Sequence, residues 1–132
     1  MNDETYMRRA IAAGRRRRGS TGENPSVGCV IVSDGEIVAV ASTAPGGRPH
    51  AETQALAMAG EMARGATAFV TLEPCCHHGR TPPCVDALID AGVARVVTAL
   101  DDPDPRVSGG GHQVLLDAGI EVTQGMLADQ AS

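Results

Sequence analysis

Aromatic residues are almost missing from this chain: its 132 residues include no Trp, one Tyr (Tyr6) and one Phe (Phe69). Surfaces that bind single-stranded nucleic acid stack bases on rows of aromatic rings, and two rings cannot supply a row. Positive charge is in deficit too. With 11 Lys and Arg against 16 Asp and Glu, the net charge of −5 gives no overall footprint for DNA or RNA. Long apolar runs are lacking as well: residues 27–32 form one of the longest, far short of the roughly twenty residues a membrane span needs. Asp3 and Glu4 stand where a secretory leader would have its apolar stretch. The expectation is a cytoplasmic protein with neither nucleic acid nor membrane as partner.

What is present fits one domain over residues 1–132, whose core must be built from Ala, Val, Leu and Ile. Residues 4–18 have the loose three-to-four spacing of an amphipathic helix, closed by Gly19. The arginines at 15–18 either complement the negative end of that helix in solvent or contact phosphate. Residues 27–32 and 36–41 are β-rich around the turn Ser33-Asp34-Gly35, which predicts a hairpin. Residues 50–64 read as a helix ended by Gly65, and 68–72 as a buried strand. Thr81-Pro82-Pro83-Cys84 opens a helix that stops at Gly92, residues 93–100 form a strand, 113–118 a helix and 120–123 a last strand. This alternation predicts an α/β sandwich with an antiparallel first pair and parallel later strands.

The four cysteines do not read as a disulfide framework. Cys75 and Cys76 are adjacent, Cys84 follows closely, and His77 and His78 lie between, which suits metal ligation in a reducing compartment. Cys29 lies in an apolar strand and belongs to the core, and Cys76, next to a ligand, points elsewhere. His50, Cys75 and Cys84 supply one imidazole and two thiolates, three zinc ligands that leave the fourth tetrahedral position open, as a catalytic site requires. Glu52 is two residues beyond His50, so it need not be a ligand, yet it can reach a water at the open position and carry its proton. Taken singly, His50 could cap or pack and Glu52 could be a solvated first-turn acid. Together, His-x-Glu, a strand, Pro-Cys and a helix opening on Cys stand in the order of the zinc-dependent nucleobase deaminases. The expected chemistry is hydrolytic loss of an exocyclic amine as ammonia. His112, beside a glycine run, reads as solvated.

The eight residues between Cys75 and Cys84 exceed the two usual in zinc deaminases. The run from Glu73 to Cys84 (EPCCHHGRTPPC), with NPSVGC at 24–29, PHAE at 49–52 and GATAFVTL at 65–72, resembles the deaminase domain of the RibD family of riboflavin biosynthesis. The resemblance covers nearly the whole chain, from about Tyr6 to Met126. It implies a three-layer α/β/α sandwich with a mixed sheet of about five strands. It also implies conversion of 2,5-diamino-6-ribosylamino-4(3H)-pyrimidinone 5′-phosphate to 5-amino-6-ribosylaminouracil 5′-phosphate. Carried over by position, Asn24, Ala51, His77, Arg80, Asp102 and Asp104 become substrate contacts, with Arg80 suited to a phosphate through paired charge-assisted hydrogen bonds. The chain departs from the family where Thr43 replaces His, Asp104 replaces Asn and Gly110 replaces Arg. The family's NADPH-dependent reductase domain is not in these 132 residues, so a separate reductase becomes a possible partner, and the family's habit of association implies a homodimer or larger assembly. Two other readings stay open: a sister deaminase acting on another base or nucleotide, and a non-catalytic zinc-stabilised binding domain.

Overall fold

A computed structural model describes residues 2–15, 26–44, 50–74, 84–100 and 110–131. The elements in chain order are α1 (Asp3–Arg15), β1 (Gly28–Ser33), β2 (Glu36–Ser42), α2 (Ala51–Ala59), β3 (Thr67–Leu72), α3 (Cys84–Ala91), β4 (Arg95–Leu100), α4 (Gly110–Asp117), β5 (Glu121–Thr123) and α5 (Ala128–Ala131). The five strands form one sheet in the order β2-β1-β3-β4-β5. β1 runs antiparallel to both β2 and β3, whereas β3, β4 and β5 are parallel. The sheet is mixed, as the alternation of elements implies.

Each inner strand is buried on both faces, which explains why the sequence shows continuous apolar runs there and no clean alternation. Cys29 and Ile31 of β1, Ala68 and Val70 of β3, and Val96 of β4 face one core with Ala51, Ala55, Val85, Leu88 and Leu115 of α2, α3 and α4. Val30, Val32, Phe69, Val97 and Ala99 face the other, against Tyr6, Met7, Ala10 and Ile11 of α1, with Met126, Leu127 and Ala131 at its edge. Three layers result, helices on both sides of the sheet. The chain's two aromatic rings both lie in the α1 core, centroids 5.3 Å apart and tilted 45°, and the Tyr6 hydroxyl donates to the Gly35 carbonyl at 2.9 Å. Neither ring is placed to stack on a ligand.

The first hairpin turns at Asp34-Gly35, both with positive φ (50° and 78°), the backbone of a type I′ turn that suits a short side chain followed by glycine. The expected helix over 50–64 is shorter. Gly60 takes φ 57°, α2 ends, and a 3₁₀ turn, Gly60–Ala63, carries the chain to β3. The end of the first helix beyond Arg15, including Gly19 and the arginines at 16–18, lies outside the described residues. No helix among the described residues is long and apolar enough to cross a membrane.

α1 crosses β1 at Gly28, where a Cβ would run into the Ala10 carbonyl oxygen, with the Gly14 nitrogen 2.9 Å away. Both obstacles are backbone, so a side chain there must push the helix off the sheet. Gly28→Ala is expected to cost at least about 1–3 kcal/mol, read as a lower midpoint in thermal or urea unfolding; an unchanged midpoint would contradict this contact.

Candidate active site

Two helix starts bring the site together. His50 is the N-cap residue of α2, with extended backbone (φ −68°, ψ 159°) and no capping hydrogen bond from its side chain. Its ring is therefore not spent on the helix end. Nδ1 of His50 instead stands 3.2 Å from Sγ of Cys84, the first residue of α3, whose thiol side chain is only 2% exposed. Two donors on one tetrahedral zinc, at about 2.0–2.1 Å for nitrogen and 2.3 Å for sulfur, stand roughly 3.5 Å apart. An imidazole and a thiol meeting at this separation fit as two ligands of one zinc ion.

Directly after His50, in the first turn of α2, Ala51 is fully buried and Glu52 is 5% exposed. Glu52 is thus no solvated helix acid. It lies close enough to β1 that its carboxylate, after burial itself, helps hold the Cys29 thiol well above its ordinary range. Cys29 is fully buried among the alanines of α2, as expected of a core thiol. Because the folded state keeps that proton to higher pH than the unfolded chain, unfolding releases it above about pH 8.5, and stability falls as pH rises from there. Cys29→Ala is expected to flatten this fall between pH 8 and 10.5 by up to about 1.4 kcal/mol per pH unit. Parallel slopes for the two proteins in urea unfolding would show that the thiol is not held neutral.

The remaining sequence candidates divide. Cys75, Asn24, His77, Arg80, Asp102 and Asp104 lie outside the described residues, as does Cys76. Thr43, at a departure from the family pattern, is buried, and its Oγ1 accepts the Val27 amide at 2.9 Å while its own amide donates to the Val27 carbonyl at 2.9 Å. Its hydroxyl serves the backbone beside β1. Of Gly110, the helix α4 begins there.

One cluster escaped the sequence reading. His112, expected to be solvated, is 2% exposed, and its Nε2 is 2.7 Å from Thr98 Oγ1 on β4. Its Nδ1 is 3.4 Å from Oε2 of Glu73, and its amide donates to the same oxygen at 3.2 Å. Glu73, 3% exposed, directly follows β3 and precedes Pro74. The available signal was spacing: His112 sits three residues before Leu115, which places both on the buried face of α4.

The family model for the cytidine and deoxycytidylate deaminase zinc-binding region matches residues 1–100. The chain belongs to this family. Within the cytidine and deoxycytidylate deaminases it sits in the RibD branch: it is 59% identical over 131 residues to the riboflavin biosynthesis protein RibD of Escherichia coli, covering 99% of this chain and 36% of that protein. It is 49% identical to the diaminohydroxyphosphoribosylamino-pyrimidine deaminase of Buchnera aphidicola, covering 99% of this chain and 89% of that one. Among solved structures, Acinetobacter baumannii RibD superposes with a TM-score of 0.95 at 52% identity, over 98% of this chain and 36% of the other. The chain spans about a third of the length of the RibD relatives.

Proposed function

We propose that this deaminase-family chain catalyses the hydrolytic deamination of 2,5-diamino-6-ribosylamino-4(3H)-pyrimidinone 5′-phosphate in riboflavin biosynthesis. The observation that carries the reading is the 3.2 Å approach of His50 to Cys84 at two helix starts, with the Glu52 carboxylate buried two residues from that histidine. The name of the Buchnera relative, which this chain covers nearly end to end, supports the substrate class.

His50, Cys75 and Cys84 would hold zinc, which when bound supplies Lewis acidity and a water activated near neutral pH. Glu52 does the proton work. Its carboxylate takes a proton from the attacking water as the bond from oxygen to C2 forms, then returns it to the exocyclic nitrogen, so that the C2–N bond breaks with ammonia as leaving group. One water is consumed and one ammonia released for each 5-amino-6-ribosylaminouracil 5′-phosphate formed. Holding Glu52 away from bulk water keeps that proton in the site and strengthens its interaction with the developing charge.

Substrate recognition falls to Asn24, Ala51, His77, Arg80, Asp102 and Asp104. An arginine gives a phosphate two parallel charge-assisted hydrogen bonds, and this role belongs to Arg80. The product is consumed by a reductase, fused or separate, and the deaminase works in the cytoplasm as a homodimer or larger assembly. Substrate and its dephosphorylated nucleoside, offered to the wild type and to Arg80→Ala, test the reading. The wild type should prefer the phosphorylated compound and Arg80→Ala should lose that preference, chiefly in KM. Equal rates on both compounds, or rapid deamination of cytidine nucleotides with this pyrimidine untouched, would transfer the chain to a sister specificity.

A further inference from the structure

Gln54 closes the first turn of α2, two residues beyond Glu52 and four beyond His50, and the chemistry above does not use it. Its backbone amide donates to the His50 carbonyl at 3.2 Å, the bond that starts the helix. Its side chain reaches out of the helix. Nε2 donates at 2.6 Å to the carbonyl of Ser42, the last residue of β2. That carbonyl belongs to anchored backbone: Ser42 is in register with Gly28 of β1, the next amide, of Thr43, donates to the Val27 carbonyl at 2.9 Å, and Thr43 Oγ1 accepts the Val27 amide at 2.9 Å. One half-buried side chain thus ties the turn that carries His50 and Glu52 to the sheet. The rest of the α2 interface is poorly suited to fix that turn. Its buried residues are Ala51, Glu52, Ala55 and Ala59, and alanines let a helix come close to its neighbours but form shallow ridges that interlock little. A hydrogen bond weakens steeply with angle, so the bond to Ser42 defines the rotation that alanine packing leaves soft. The His50 ring makes no capping bond, so its direction toward Cys84 follows the backbone of this same turn.

We propose that Gln54 is a positioning residue: its bond to the Ser42 carbonyl fixes the first turn of α2 and thereby the places of His50 and Glu52. The inference rests on the reading of His50 as a zinc ligand and Glu52 as the proton carrier. Its physical basis is general. A misplacement of about 1 Å can cost on the order of 100-fold in rate, and groups that hold a metal ligand in place without touching the metal typically set about 10- to 100-fold of affinity. Gln54 acts on both quantities through one turn of helix, so both should move together.

The experiment uses the full chain. Gln54→Met keeps the length and helix propensity of the side chain and removes the donor, whereas Gln54→His restores an N–H at similar reach. Zinc affinity is measured by competition with a chromophoric chelator, and the cobalt(II) form gives ligand-field bands that report the geometry of the ligands. Gln54→Met is expected to weaken zinc binding by about 10-fold or more and shift the cobalt bands. At saturating zinc its kcat on the phosphorylated pyrimidine should fall by about 10- to 100-fold, with KM held within a few-fold because Asn24 and Arg80 lie on other segments. Gln54→His should recover most of the affinity and the rate. A merely structural bond would lower the unfolding midpoint and leave affinity, bands and kcat unchanged in the folded protein; that result overturns the proposal. If Gln54→Met does not fold, Gln54→Ala decides by the same criterion. Wild-type protein that takes up no zinc, or a Glu52→Gln protein as active as the wild type, would instead overturn the reading of the site itself, a failure seen without any change at Gln54.

Discussion

Glu52→Gln is expected to lower turnover by about 10²- to 10⁴-fold while zinc content and fold stay as in the wild type. Gln has the shape of Glu and can still accept a hydrogen bond, but it cannot take a proton from water and hand it to a departing nitrogen. The substitution removes one capacity and little else. Burial makes the test clean, because Glu52 is 5% exposed and a side chain of the same volume keeps the packing against β1. Ammonia release, metal content and far-UV circular dichroism of the purified variant are the measurements. Turnover within a few-fold of the wild type would take Glu52 out of the mechanism and return it to the role of a buried helix acid.

Cys84→Ala should have the other large effect, on the metal. Removing a ligand outright is expected to cost zinc affinity well beyond the roughly 10- to 100-fold that loss of a supporting neighbour costs, and activity should disappear with the metal. The alanine leaves the helix start intact, since Cys84 is the first residue of α3 and alanine is the best helix former. The imidazole of His50 then loses the sulfur it meets at 3.2 Å. Elemental analysis of protein purified with zinc present, beside the Glu52→Gln protein as a metal-replete inactive control, separates the two roles. A Cys84→Ala protein that retains one zinc per chain would show that the thiol is a core residue.

Much of the architecture was legible in the sequence because punctuation and pattern agreed. Asp34-Gly35 fixed the hairpin, Gly92 and Gly119 closed helices with φ of 78° and 86°, and the alternation after residue 50 gave the parallel half of the sheet. The length of α2 was not legible, because Ala, Met and Glu favour helix on both sides of Gly60 and nothing local shows that this glycine turns to φ 57°. His50 and Cys84 stood out in the sequence by order and residue type, although their approach at 3.2 Å, helix start to helix start, is a tertiary fact. His112 was misread for the same reason. A histidine beside three glycines looks exposed until α4 is laid on the sheet, where Thr98 and Glu73, 14 and 39 residues earlier in the chain, receive it. The substrate contacts at Asn24, His77, Arg80, Asp102 and Asp104 rest on the family pattern, since these positions lie outside the described residues.

In the proposed reaction the zinc-loaded chain replaces the 2-amino group of one phosphorylated pyrimidine by oxygen from water. Incubation of 2,5-diamino-6-ribosylamino-4(3H)-pyrimidinone 5′-phosphate with the zinc-loaded protein in ¹⁸O-water, followed by mass spectrometry and an ammonia assay, addresses it directly. Hydrolytic deamination gives one ammonia per molecule converted, with a single heavy oxygen in the 5-amino-6-ribosylaminouracil 5′-phosphate formed. No ammonia and no labelled product from protein shown to carry zinc would contradict it.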